Sequence, residues 1–207
     1  MDVDVTVDGV ELPGYLNVPD DATGIVIFAH GSGSSRNSPR NQQVAAGLEE
    51  RGLATLLFDL LTPSEGQDRN NVFDIELLAE RVVGAIDWTA DRDDVGDLRV
   101  GLFGASTGAA AALDGAAACG ERVRAVVSRG GRPDLASRLD DVVQPVLLIV
   151  GGADQQVLEL NRSAARRLAE HEVEVVPGAG HLFEGPGELE QVTAAAADWF
   201  RTHLSAD

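Results

Sequence analysis

The sequence contains no lysine. Its 16 cationic side chains are all arginine, they face 34 Asp and Glu residues, and the formal net charge is -18. A surface this negative repels phosphate backbones and anionic lipid headgroups, so neither nucleic acid nor a membrane is an expected partner. Because salt screens repulsion between exposed carboxylates, the composition predicts a halophilic source, an archaeon. An acidic protein of an ordinary mesophile is the alternative.

Cysteine is nearly absent as well. Cys119 is the only one, which excludes an intrachain disulfide and a thiolate metal cluster. The sequence also lacks any apolar run close to the ~18 residues that a membrane-spanning helix needs. The first residues show neither the positive segment nor the apolar core of a signal peptide. We therefore expect a cytoplasmic protein, without metal or organic cofactor.

What is present is an alternation of strand-like and helix-like patterns along 207 residues, 44% of them hydrophobic. The expected strands are 3–7, 10–18, 24–29, 53–58, 99–103, 123–128, 146–150 and 173–176. The expected helices are 39–51, 72–89, 107–119, 157–170 and 188–203. This order predicts one α/β domain over residues 1–207, a three-layer sandwich around a mainly parallel sheet of seven to eight strands. The turn signal at Asp8 and Gly9 predicts an antiparallel hairpin at the N-terminal edge.

The stretch GASTG at residues 104–108 lies where a predicted strand meets a predicted helix. It matches the G-x-S-x-G nucleophile elbow, in which a serine on a sharp turn raises its hydroxyl above the sheet. The helix that follows directs its positive end and an unpaired N–H of Thr107 toward an oxyanion. Ser106 is thus a candidate nucleophile. An ordinary strand-to-helix turn is the alternative.

A serine hydroxyl needs a base, and the base needs an acid to orient it. His181 lies in a glycine-flanked loop after the last predicted strand, and Asp154 follows the strand before it. His181 as a loop cap and Asp154 as a plain helix cap are the alternatives. Asp134 and Glu184 are weaker candidates for the acid. The chain order serine, acid, histidine is the order found in α/β-hydrolases.

The motifs AHGSG, GASTG, GGAD and GAGH occur in an order that resembles the α/β-hydrolases, most closely the small, lidless dienelactone-hydrolase-like group. The resemblance implies a triad of Ser106, His181 and Asp154, with backbone N–H groups of Thr107 and Ser32 as oxyanion donors. Gly33 is the alternative second donor. Dienelactone hydrolases carry cysteine in the elbow, so Ser106 favours a carboxylesterase or a related acyl hydrolase.

The expected function is therefore hydrolysis of small carboxylic esters. A non-catalytic binding or scaffold protein, or a thioesterase or peptidase with the same triad, is the alternative. Two arginines in the loop after the third strand, Arg36 and Arg40, are candidate ligands for a carboxylate or phosphate on the substrate. Anchoring of that loop is an equally good interpretation. The sequence makes no prediction about the oligomeric state.

Overall fold

The computed structural model describes residues 1–205 and contains one eight-stranded sheet. Its strands are Asp2–Val7 (β1), Val10–Asn17 (β2), Ile25–Ala29 (β3), Ala54–Phe58 (β4), Val100–Ala105 (β5), Val123–Arg129 (β6), Val146–Gly151 (β7) and His171–Val176 (β8). They are ordered β1-β2-β4-β3-β5-β6-β7-β8. β2 pairs antiparallel with β1 and β4, and the remaining pairs are parallel. The predicted fold class and the N-terminal hairpin are confirmed.

Helices cover both faces of the sheet. They are Pro39–Glu49 (α1), Arg69–Val72 (α2), Ile75–Ala90 (α3), Thr107–Cys119 (α4), Gln155–Ala165 (α5) and Glu188–Leu204 (α6). Residues of α3, α4 and α5 join the apolar core on one face, and residues of α1 and α6 join the core on the other. Within residues 1–205, no connection between strands carries a separate lid domain.

The bounds of two predicted helices differ from those in the structure. The predicted helix 72–89 is divided, because the Asp74 side chain accepts a hydrogen bond from Leu77 N at 3.1 Å and starts α3 at Ile75. The predicted helix 157–170 runs from Gln155 to Ala165. It ends early because the backbone after Ala165 tightens into turns that span three residues.

The central strands determine which edge of the sheet carries the candidate site. Every residue of β3, β4, β5 and β7 is buried, as expected for strands covered on both faces. Parallel strands end at the same edge of the sheet, and ligands of such folds bind at the carboxyl ends of the strands. No helix of the described residues is long and apolar enough to cross a membrane.

Candidate active site

Ser106 occupies a backbone conformation that side chains other than glycine rarely adopt, with φ 53° and ψ -123°. It lies between the end of β5 and the start of α4. Its N–H donates to the carbonyl of Arg129 at 3.3 Å, and its carbonyl accepts from Arg132 N at 3.0 Å. Both peptide groups are therefore held by the end of β6 and the loop that follows, which supports the strained turn.

The two glycines of the motif are required by close backbone contacts. A β-carbon at Gly104 would lie 2.4 Å from Ala109 Cα, and one at Gly108 would lie 2.2 Å from the carbonyl oxygen of Ala29. A side chain at either position would push α4 away from the strands beneath it. The elbow can form only where both are glycine.

His181 and Asp154 come together at the same edge of the sheet. His181 Nδ1 lies 2.8 Å from Asp154 Oδ2. The other carboxylate oxygen of Asp154 accepts a weak hydrogen bond from Val157 N at 3.4 Å and caps α5. One carboxylate thus caps the helix and also orients the imidazole. A proton on Nδ1, donated to this carboxylate, leaves Nε2 as the basic nitrogen.

The turn that carries Asp154 is tied to the histidine loop by its backbone. Ala153 N donates to the carbonyl of Ala179 at 2.9 Å. Gly151 is part of the same contact, because a β-carbon there would lie 2.4 Å from that carbonyl oxygen. The two loops therefore pack as one unit and hold the side chains of Asp154 and His181 within hydrogen-bonding distance of each other.

The imidazole lies near the elbow without a hydrogen bond to it. A β-carbon at Gly130 would lie 3.6 Å from His181 Cε1, and the residue before it, Arg129, accepts the N–H of Ser106. Among the described residues, no hydrogen bond joins Ser106 Oγ to His181. Catalytic hydrogen bonds are often long in ligand-free sites and shorten when substrate binds.

The predicted oxyanion donors have unequal surroundings. Thr107 is the first residue of α4, where a backbone N–H has no partner within the helix. Ser32 N, in contrast, donates to Thr107 Oγ1 at 2.8 Å. The next residue, Gly33, has φ +70°, and its N–H has no hydrogen bond within residues 1–205. The structure therefore leaves the N–H of Gly33 free and that of Ser32 engaged.

The two candidate substrate arginines also differ. Arg36 contacts Asp59 twice: its backbone N donates to Oδ1 at 2.7 Å, and its guanidinium pairs with Oδ2. The guanidinium also lies over the Tyr15 ring, 5.2 Å from its centre. These are the contacts of a loop anchor. Arg40 has a long ion pair of 3.7 Å with Glu184, and both side chains are exposed.

Two further polar residues at the carboxyl ends of strands, outside the predicted catalytic and substrate-binding set, position the loops of this region. Asp59 anchors Arg36, and the ring of His30 links the backbone of the loop after β3 to that of the loop after β4. His30 Nε2 accepts from Leu60 N at 3.1 Å, while Nδ1 lies 3.0 Å from the carbonyl of Gly31. Burial lowers the pKa of His30, so the ring is neutral with its proton on Nδ1. Both residues directly follow buried strands, and this position in the sequence indicates that they lie at the edge of the sheet that carries the site.

A cleft of about 290 Å³ opens beside this loop, between residues 30–35 and 59–63, with Leu78 on its wall. A larger groove, of about 870 Å³, lies elsewhere, between α3 and the β1–β2 hairpin. That groove is lined by none of the candidate catalytic, oxyanion-binding or substrate-binding residues, so its size does not mark it as the reaction site. Within residues 1–205, no cluster of His, Cys, Asp and Glu could hold a metal ion.

The sheet order, the strained serine elbow and the Asp154–His181 pair define a protein of the α/β-hydrolase fold. The model of the dienelactone hydrolase family matches residues 12–205, and the chain belongs to this family. A crystal structure of a dienelactone hydrolase from Anabaena variabilis is 53% identical, covers 99% of this chain and 97% of its own, and superposes with a TM-score of 0.95. Est1E from Butyrivibrio proteoclasticus shares only the fold, with 18% identity, a TM-score of 0.83, and 97% and 98% coverage.

Curated relatives from two strains of Mycobacterium tuberculosis, each named a putative phosphoribosyl transferase, are 58% identical over 205 residues. The match covers 98% of this chain and 46% of each relative. The chain thus spans about half the length of these relatives.

Proposed function

We propose that this member of a hydrolase family is a serine hydrolase that cleaves small carboxylic esters through an acyl-enzyme on Ser106. The observation that carries the proposal is the pairing of a serine at φ 53° with an Asp154–His181 hydrogen bond of 2.8 Å at the same edge of the sheet. Strain of this kind persists only where surrounding structure supports it, and it is concentrated at functional sites.

In the first step, Ser106 Oγ attacks the ester carbonyl carbon while His181 Nε2 takes the hydroxyl proton. The carbonyl oxygen becomes an oxyanion, which the N–H of Thr107 and one N–H of the 32–33 loop stabilise. Collapse of the tetrahedral intermediate breaks the bond to the alcohol, which leaves with the proton from His181. Asp154 stabilises the imidazolium formed between these events.

In the second step, His181 takes a proton from water, and the resulting hydroxide attacks the acyl carbon. The tetrahedral intermediate releases the carboxylic acid, and Ser106 Oγ recovers its proton from the imidazolium. Because Ser32 N already donates to Thr107 Oγ1, we assign the second oxyanion donor to Gly33. The initially favoured donor, Ser32, would require that bond to open.

The test is hydrolysis of p-nitrophenyl acetate together with labelling by a fluorophosphonate, which reacts with activated serines. We expect Ser106→Ala to abolish both, and His181→Ala to reduce both by about 10³-fold or more. Ser163→Ala, which changes an exposed serine on α5 away from the site, is the control. A folded wild-type protein that neither turns over the ester nor takes the label would favour the non-catalytic scaffold.

A panel of short esters, lactones, thioesters and peptides separates the activities that one triad supports. The absence of a lid in residues 1–205 supports small esters over long lipids as substrates. The phosphoribosyl transferase name describes longer relatives, of which this chain matches 46%, and we do not carry it over to this chain.

The net charge of -18 supports a separate proposal, adaptation to high salt. The relatives named above come from bacteria, so the archaeal source stays a prediction. Since chloride salts screen repulsion among carboxylates, we expect the melting temperature to rise with potassium chloride up to molar concentration. A flat or falling melting temperature would contradict the adaptation.

A further inference from the structure

The helix α5 buries an amide among apolar side chains. Its buried residues are Val157, Leu158, Asn161, Ala164 and Ala165, and Asn161 is the polar member of this set. No part of Asn161 is exposed. An apolar side chain of similar size would fill this position without the cost of removing an amide from water. The amide therefore contributes something other than apolar packing.

Both N–H groups of the Asn161 side chain are used. Nδ2 donates to the carbonyl of Gly131 at 2.9 Å, and to the carbonyl of Val157, one turn earlier in α5, at 2.8 Å. The Oδ1 atom is buried and accepts no hydrogen bond within the described residues. The side chain is thus a donor that joins α5 to the loop after β6.

Gly131 lies directly behind the nucleophile elbow. A β-carbon there would lie 2.6 Å from Ala109 Cβ in α4 and would collide with Ser128 Oγ of β6. The next residue, Arg132, donates its backbone N–H to the carbonyl of Ser106 at 3.0 Å. A shift of Gly131 would therefore move the peptide group that supports the strained serine.

The same helix carries the proposed acid. Asp154 is the N-cap residue of α5, and one of its carboxylate oxygens lies 2.8 Å from His181 Nδ1. Asn161 lies about two helical turns beyond Asp154 on this helix. Asn161 therefore links the helix that holds the acid to the loop that holds the elbow.

We propose that Asn161 is a positioning residue that fixes the Asp154–His181 pair relative to Ser106. A polar group buried in an apolar interface can select one register of a helix against its neighbour. An apolar residue would hold α5 to the core, but it would not select that register. The effect on catalysis rests on the proposed hydrolase function, whereas the link between α5 and the 130–132 loop does not.

The chain offers a matched control in Gln144. This amide is also buried, it donates to the carbonyls of Ala116 and Gly120 at 3.1 and 2.6 Å, and its Oε1 has no partner in the described residues. Those carbonyls lie at the end of α4 that is distant from Ser106. Asn161→Leu and Gln144→Leu therefore remove the same kind of hydrogen bonds near the site and far from it.

The first measurement is hydrolysis of p-nitrophenyl acetate at a temperature where both variants are folded. We expect Asn161→Leu to lower kcat by about tenfold to a hundredfold with little change in KM, because small misplacements of reacting groups have a cost of this size. Gln144→Leu should keep kcat near the wild-type value. Equal losses of kcat in the two variants would indicate a general loss of stability and would overturn the proposal.

Asn161→Ser separates the two hydrogen bonds and is the second variant if Asn161→Leu does not fold. A serine hydroxyl can still donate to the carbonyl of Val157 in the preceding turn, but it is too short to reach Gly131. Its kcat should therefore fall as in Asn161→Leu. A wild-type kcat in Asn161→Ser would overturn the role of the bond to Gly131.

Hydrogen exchange tests the link without any turnover. In Asn161→Leu, the backbone N–H of Arg132 should exchange faster by about tenfold or more beyond its change in Gln144→Leu, because the loop that bonds Ser106 is loosened. Unchanged exchange together with a wild-type kcat overturns the whole inference, and faster exchange with a wild-type kcat overturns the positioning role. If the wild type cleaves no ester, the proposed function fails, and hydrogen exchange still decides whether Asn161 holds the loop.

Discussion

On one side of Ser106, His181 meets Asp154 at 2.8 Å, and the two loops that carry them are joined by backbone hydrogen bonds. On the other side, the Ser32 N–H that was expected to receive an oxyanion already donates to Thr107 Oγ1. The first side, which we call the base side, consists of the Asp154 and His181 side chains, and both belong to sequence motifs. The second side, which we call the oxyanion side, consists of Thr107 and the 32–33 loop. It depends on the directions of backbone N–H groups, which a motif does not specify.

The largest expected effect comes from disrupting the Asp154–His181 pair. Asp154→Asn should lower kcat for p-nitrophenyl acetate by about 10³- to 10⁴-fold, because an amide at this position no longer stabilises the imidazolium or selects the correct tautomer. The Asn side chain also caps helices well, so α5 and the melting temperature should change little. A loss below tenfold would mean that another group, such as Glu184, orients His181.

The oxyanion side is tested by Thr107→Val, which removes the hydroxyl that holds Ser32 N. We expect kcat to fall by about tenfold to a hundredfold with little change in KM, because the loop that presents Gly33 N–H loses its tether. Thr107→Ser keeps the acceptor and should retain most activity. A rise in kcat in Thr107→Val would show that Ser32 is the donor and that the hydroxyl blocks it.

The anchoring of the same loop is tested by Arg36→Met. Loss of the guanidinium contact with Asp59 should lower the free energy of unfolding by about 1–2 kcal/mol in denaturant titrations, while the backbone N–H of residue 36 still donates to Asp59. KM for a neutral ester should stay near the wild-type value, because Arg36 is held away from substrate by Asp59. Arg124→Met is the matched surface control. A selective rise in KM for anionic esters would restore Arg36 as a substrate ligand.

The smallest effect concerns His30, whose pKa burial lowers below its usual 6.5. The unfolded chain then binds a proton more readily than the folded one. The stability that neutral His30 contributes is complete above pH 6.5 and declines as the pH falls toward the lower, folded pKa. The difference in unfolding free energy between wild type and His30→Asn should therefore narrow from pH 7.5 to 5.5. A constant difference would contradict a neutral, buried ring.

Most of the fold was predictable because its signals are local. Apolar runs marked the strands, and the turn at Asp8 and Gly9 marked the hairpin. The misplaced ends, at Asp74 and after Ala165, depended on caps and turns that periodicity does not detect. The candidate nucleophile, base and acid were found because each belongs to a short motif, although their catalytic roles await the tests above.

By itself, the sequence determined the order of the elements, the glycines that permit the elbow, and the negative charge of the surface. Only the tertiary structure decided which polar groups are already engaged. Ser32 is 75 residues from Thr107, and Asn161 is 30 residues from Gly131. Contacts over such separations depend on how strands and helices pack, so no local pattern distinguishes the anchored Arg36 from the weakly paired Arg40.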